Sequence, residues 1–287
     1  MDLRRIGLFY GLALVGPVGV HLAVRAFGVD WTGLAPVVGG LVAMLAPVVA
    51  AMVTNRASGR PVTDALGLAP AFNLLLLVAV LVPLVAEVLT VSIGFAMPGA
   101  SFDPSIGGFV DRLAPLVPPG ELDALRAALT SLPLHPVLLS LPQVVVAGAT
   151  INAVAAMGEE AGWRGFLQAA LRPLGFWPAA AIGGAMWGAW HAPILLLGSP
   201  TLGEGLLASA VFVGVCLGIA PWLAHLRERG GSTWHAAVAH GTINAAAGLA
   251  MVVTAGHDAV WTGTGGVAGM LAWAAMTLAL AFVRGWR

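Results

Sequence analysis

Apolar residues dominate this chain, and charged residues or Pro- and Gly-rich turns break them into eight long stretches, near 6–24, 34–54, 72–97, 137–158, 177–198, 205–225, 235–255 and 265–284. At 1.5 Å per residue, a helix of about 20 residues crosses the ~30 Å hydrocarbon core of a bilayer, and these stretches have that length. The alternating ten-residue segments of an outer-membrane barrel fit them less well. The pattern predicts an all-α, polytopic membrane protein of about eight transmembrane helices, forming one domain over 1–287. The first stretch follows "MDLRR" and is read as a retained span rather than a cleaved signal. The long connection Gly99–Pro136 reads as a polar loop plus a short amphipathic helix from about Pro119, with Glu121 and Asp123 in its first turn.

Composition agrees with the pattern. Residues are 59% hydrophobic and 9% charged, where a soluble domain carries roughly 25% charged. The lipid bilayer is therefore an expected partner, and a net charge of zero argues against nucleic acid. Every basic residue is arginine, a bias suggesting a GC-rich bacterial gene. The lone Cys216 sits in "VFVGVCLGIA" and reads as a small buried hydrophobe. If the spans alternate, Arg4, Arg5, Arg56, Arg60, Arg164, Arg172, Arg227, Arg229, Arg284 and Arg287 fall on one side, and Arg25, Arg112 and Arg126 on the other. Cytoplasmic loops retain positive charge. Both termini are thus expected in the cytoplasm, in a bacterial inner membrane.

Against so little charge, three polar clusters stand out. In "AAMGEEAGWRGF", Glu160 and Arg164 are four residues apart on one helix face and can pair, while Glu159 points about 100° away and stays available as a general base. In "AMWGAWHAPILLLG", Trp187 precedes His191 by four, and Pro193 follows where it kinks or ends the helix. In "HAAVAHGTINAAAG", His240 and Asn244 share a face, whereas His235 lies off it and reads as interfacial. An acidic pair at a boundary is often a solvated helix end, and a lone histidine often a packing residue. Ionisable groups within spans are nevertheless rare and usually functional, and three spans supply these together. The catalytic helices would lie at about 145–250.

The three motifs together resemble the CPBP family (CAAX protease and bacteriocin-processing, also called Abi) of intramembrane proteases. "EEAGWR" is similar to its glutamate–glutamate–three–arginine motif, "WGAWH" to an aromatic four residues before a histidine, and "HGTIN" to histidine–three–asparagine. The likeness covers about Val145 to Leu249, and Trp187 stands where phenylalanine is usual. The resemblance implies that Glu159 activates water with help from His191. It also implies that His240 and Asn244 stabilise the oxyanion, and that Glu160 and Arg164, with Trp187, support the site. The implied activity is an intramembrane endopeptidase acting on a peptide or membrane-protein substrate, such as a bacteriocin precursor, a toxin peptide or a membrane-protein tail.

Glu159, His191 and His240 are also a conceivable zinc set. However, no pair of histidines four apart flanks a glutamate, so metal-free catalysis is favoured and no cofactor is expected, with zinc as the alternative. Ser199 and Ser209 lack a nucleophile frame, and each aspartate falls in a predicted tail or loop. The competing functions are a non-catalytic immunity or scaffold protein of the same fold and a proton-coupled transporter. Elsewhere, Glu87 in "LVPLVAEVLTVSIG" reads as bonded to backbone kinked by Pro83, or else as part of a substrate cavity. Asn152 is expected on the cavity wall, and His21 at the interface. Trp163, Trp177, Trp222, Trp234 and Trp286 read as interfacial anchors.

Overall fold

The computed structural model describes residues 1–114, 117–199 and 202–284. Trp286 and Arg287 lie outside the described residues. The long helices are α1 (Leu3–Phe27), α2 (Ala35–Ala57) and α3 (Leu75–Phe95), then, after the long connection and a bent central segment, α11 (Gly205–Gly230), α12 (Thr233–Ala246), which the helix after it extends into the 21-residue span Thr233–Val253, and α14 (Val267–Arg284). The connection carries β1 (Ser101–Phe102), α4 (Ile106–Leu113) and α5 (Leu122–Thr130). The central segment is α6 (Pro136–Ala149), α7 (Ile151–Glu160), a π-helical stretch (Ala161–Leu167), α8 (Gln168–Leu171), α9 (Phe176–Trp190) and α10 (Ala192–Leu195). Between α12 and α14 lie α13 (Leu249–Val253) and β2 (Thr254–Ala255).

The all-α membrane architecture is thus present, but its spans are not eight uninterrupted helices. Among the described residues six helices are long and apolar enough to cross a bilayer, or seven if the pair broken at Thr150 by a 45° bend is one span. The predicted span 177–198 does not form a single helix. A continuous helix through Pro193 would lose a backbone N–H and clash with the carbonyl four residues earlier. So α9 stops at Trp190, about 22 Å long and short of a full crossing.

That break exposes carbonyls, and α1 with the turn after it satisfies them. Pro193 O receives His21 Nδ1 at 2.8 Å, Leu196 O receives Arg25 Nη2 at 3.3 Å, and Gly198 O receives Trp31 Nε1 at 3.0 Å. His21, expected merely at the interface, therefore ties α1 to the segment just beyond His191.

α11 and α12 are the most buried spans and α1 the least. α12 packs against α3, α6 and α7, and α11 against α9 and α14. Small residues permit this closeness. A Cβ on Gly241 of α12 would collide with Gly148 O and Ala153 N, and one on Gly158 would sit 2.6 Å from Met44 O of α2. The helix expected near Pro119 is present as α5, with Asp123 in its first turn. α4 was not anticipated: "IGGFVDRL" is eight residues, too short to stand out. Its Arg112 reaches Asp103 Oδ2 at 2.8 Å and the carbonyls of Met251 and Val252 at 2.7 and 2.8 Å, and β1 pairs antiparallel with β2. The long connection is thereby fixed over the end of α12–α13.

Candidate active site

α7 delivers Glu159 and Glu160 into the centre of the bundle, both buried at 2% and 0% exposure. Beyond them the helix widens into a π-helical turn, a form that recurs at functional sites. Arg164 still reaches back to its expected partner, with Nη1 2.9 Å from Glu160 Oε1. The same oxygen lies 2.8 Å from His240 Nδ1 on α12. One carboxylate oxygen thus joins two helices, and since it only accepts, Nδ1 of His240 carries the proton. Arg164, counted above with the loop cations, is in fact buried here at 5% exposure.

Glu159 turns the other way. Its Oε2 accepts from Trp187 Nε1 at 2.6 Å, so one carboxylate oxygen is oriented by an indole. Trp187 is expected beside His191 and as a support of the site, and it does meet that ring edge-on at 5.6 Å between centroids. It does more than this. It also contacts the His240 ring at 5.2 Å and lies under the Arg164 guanidinium at 4.3 Å. Its own carbonyl accepts from His191 Nδ1 at 2.8 Å. That bond puts the proton of neutral His191 on Nδ1 and leaves Nε2 with its lone pair.

Glu159, Trp187, His191, His240 and Asn244 all border one cavity of about 240 Å³ with predominantly apolar walls, whereas Glu160 and Arg164 lie behind it. Asn244 is exposed to this space. The motif residues therefore separate into a set that faces the cavity and a pair that braces it, as their helical spacing implies. Two further contributors were missed. Phe212 of α11 packs against the His191 ring at 4.8 Å, and Thr264, in the turn before α14, borders the cavity. Phe212 sits in an apolar run with nothing to distinguish it. Thr264 had a weak signal in its partner: its hydroxyl lies 2.8 Å from Oε2 of buried Glu87. Glu87 also accepts from the Ala250 backbone, so its bonds go to other elements and not to the kink at Pro83.

Several expectations need correction. Asn152 does not line the cavity that Glu159 borders. It sits on α7 about 10 Å before Glu159, where α12 covers that face; its Nδ2 donates to Gly241 O at 3.4 Å, and it borders a separate cavity with Gln143 and Val252. His235 is fully buried, with Nε2 3.0 Å from Asn73 Oδ1, because the chain preceding α3 folds over the start of α12. Trp163 is buried at 2% against Phe9 and Trp190, since the π-helical turn faces the bundle, not the interface. Trp222 is half-buried and donates to Met276 O at 2.9 Å. Cys216 is buried as expected.

Among the described residues, no three His, Cys, Asp or Glu side chains converge closely enough to hold a metal ion. Glu159, His191 and His240 therefore do not fit a zinc shell in this geometry.

Residues 141–246 match the family model described as Type II CAAX prenyl endopeptidase Rce1-like. The matched segment contains all three motifs, and so agrees with the CPBP resemblance. No curated protein matches the chain.

Proposed function

From this CAAX-endopeptidase-like segment, we propose that the chain is an intramembrane endopeptidase that cleaves a membrane-associated protein or peptide with a glutamate-activated water. The observation that carries the reading is the single cavity onto which Glu159, His191, His240 and Asn244 converge from α7, the end of α9 and α12. In this reading Trp187 fixes Oε2 of Glu159, and the other oxygen takes the proton of the attacking water, assisted by Nε2 of His191. The water oxygen bonds to the scissile carbonyl carbon. The resulting oxyanion is held by Asn244 and by His240 with both ring nitrogens protonated, a type of contact worth roughly 3 kcal/mol in other enzymes. The captured proton passes to the leaving nitrogen as the C–N bond breaks. Glu160 and Arg164 hold His240 in position. No step in this sequence requires a metal.

The arginine distribution supports an orientation with both termini in the cytoplasm of a bacterial inner membrane and the site toward that side. This orientation requires α9 and α10 together to complete a crossing.

The test is cleavage of a quenched fluorescent peptide library by detergent-purified protein. Wild type should cleave, Glu159→Ala should not while keeping its helical circular dichroism, and 1,10-phenanthroline should leave the wild-type rate unchanged. Loss with the chelator would reinstate the zinc reading. A wild type that cleaves nothing, with any biological effect surviving Glu159→Ala, would favour an immunity or scaffold role.

A further inference from the structure

The Glu160–Arg164 pair occupies only one terminal nitrogen of the arginine. Arg164 Nη2 is buried with no hydrogen-bond partner, and the same is true of Trp163 Nε1 and Gln168 Oε1. These three side chains border one small cavity of about 10 Å³, which small residues of α9 and α11, Ala180 and Ala220 among them, also line. A buried polar atom without a partner is costly, and such atoms are rare in folded proteins. Three such atoms on side chains that border a single cavity point to one shared ligand.

The chemistry of the three atoms identifies it. Trp163 and Arg164 offer N–H donors, and Gln168 offers a carbonyl acceptor. The glutamine amide is held in this sense because its Nε2 already donates to Ala224 O at 3.3 Å and Glu228 Oε1 at 3.2 Å, both of which only accept. A cation would meet two donors, and an anion would meet the Gln168 oxygen beside a guanidinium already neutralised by Glu160. Water accepts twice and donates, and a volume of about 10 Å³ is just enough for one molecule with two to four partners.

We propose that this cavity binds a single structural water, which accepts from Trp163 Nε1 and Arg164 Nη2 and donates to Gln168 Oε1. The water closes a continuous polar chain. Arg284 Nη2 donates to Glu228 Oε2 at 2.9 Å, Glu228 Oε1 accepts from Gln168, and beyond the water Arg164 leads to Glu160 and His240. The ends of α11 and α14 are thereby linked to the carboxylate that braces the catalytic cavity.

The experiment is a structure of the full chain in lipid nanodiscs at a resolution that shows ordered solvent, paired with thermal unfolding of Ala180→Val and Ala180→Thr. A solvent peak about 2.7–3.2 Å from all three atoms is expected. Cavity filled by a direct Arg164–Gln168 contact, or without a peak, would overturn the proposal. The two variants add nearly equal volume, but only threonine brings a hydroxyl that can replace the water. Valine should therefore lower Tm by roughly 3 °C or more beyond threonine, and equal shifts for the two would count against the site. In the cleavage assay, valine should reduce kcat about tenfold with KM unchanged and threonine should stay within about threefold of wild type. Should wild type cleave nothing, the solvent peak and the unfolding pair still decide on the water. Should Ala180→Val not fold, the peak decides.

Discussion

Glu160→Gln removes a charge while keeping the shape and one carbonyl oxygen of the side chain, which makes it the sharpest probe of how the site is held. Glu160 and Arg164 have side chains 0% and 4% exposed and approach to 2.9 Å. Two unit charges about 3 Å apart attract by roughly 5 kcal/mol at an effective dielectric constant of 20. Breaking such a buried pair from one side typically costs about 3–5 kcal/mol, since the remaining charge is stranded. The glutamine carbonyl can still accept from Arg164 and His240, so the loss reports on charge rather than on hydrogen-bond count. We expect Glu160→Gln and Arg164→Met each to destabilise by about 3–5 kcal/mol, and the double variant to cost at least about 2 kcal/mol less than their sum. Reversible unfolding in mixed micelles, followed by tryptophan fluorescence, gives these values. A Glu160→Gln variant within about 1 kcal/mol of wild type, or costs that add within about 0.5 kcal/mol, would show that the pair does not brace the site.

Trp187→Phe keeps an aromatic ring against His191 and His240 but removes the donor to Glu159. A hydrogen bond to a charged group is worth about 1.5–3 kcal/mol, so kcat for peptide cleavage should fall about 10- to 100-fold, and an unchanged rate would detach Trp187 from the mechanism. Gly241→Ala puts a methyl against Gly148 O and Ala153 N where α12 crosses α6 and α7. Overpacking of this kind costs about 1–3 kcal/mol in the same unfolding assay, and wild-type stability would mean that the helices are not in such close contact. In the long connection, Asp103 accepts from Ser105 and Arg112, and these contacts hold its carboxyl down at about 2. With the folded value below the unfolded one of roughly 4, the contribution is complete above pH ~4 and is lost as pH falls through about 2. Protease sensitivity of the 101–113 segment should accordingly rise between pH 4 and pH 2 in wild type and be raised already at neutral pH in Asp103→Asn. A segment equally protected in both would refute the tether.

Local rules were enough for much of this protein. Hydropathy fixes which stretches are apolar enough to enter a bilayer, because that depends on composition and length alone, though not which of them form one unbroken helix. Spacing of four fixes which side chains share a helix face, so the Glu160–Arg164 pair, the freedom of Glu159 and the Trp187–His191 contact were all legible. Pro193 announced the break after His191 for an equally local reason, a missing N–H and a ring clash. Other features depended on which helices meet. That Glu160 bonds His240, 80 residues away, and that Trp187 donates to Glu159 are consequences of α7, α9 and α12 converging. Helical periodicity describes one helix at a time and says nothing about its neighbour. The same limit explains the failures. Trp163 and His235 look interfacial by position along their spans, yet the bundle buries them. Asn152 is nearly in phase with Glu159 on α7, yet it lies about 10 Å away along the axis, where α12 covers that face and Gly241 O takes its amide, so a shared face does not make a shared cavity. Sequence determined the all-α membrane class and the chemical inventory of the site. Only the tertiary structure decided which residues face the cavity and which brace it, because close approach between helices is set by small residues on both partners at once.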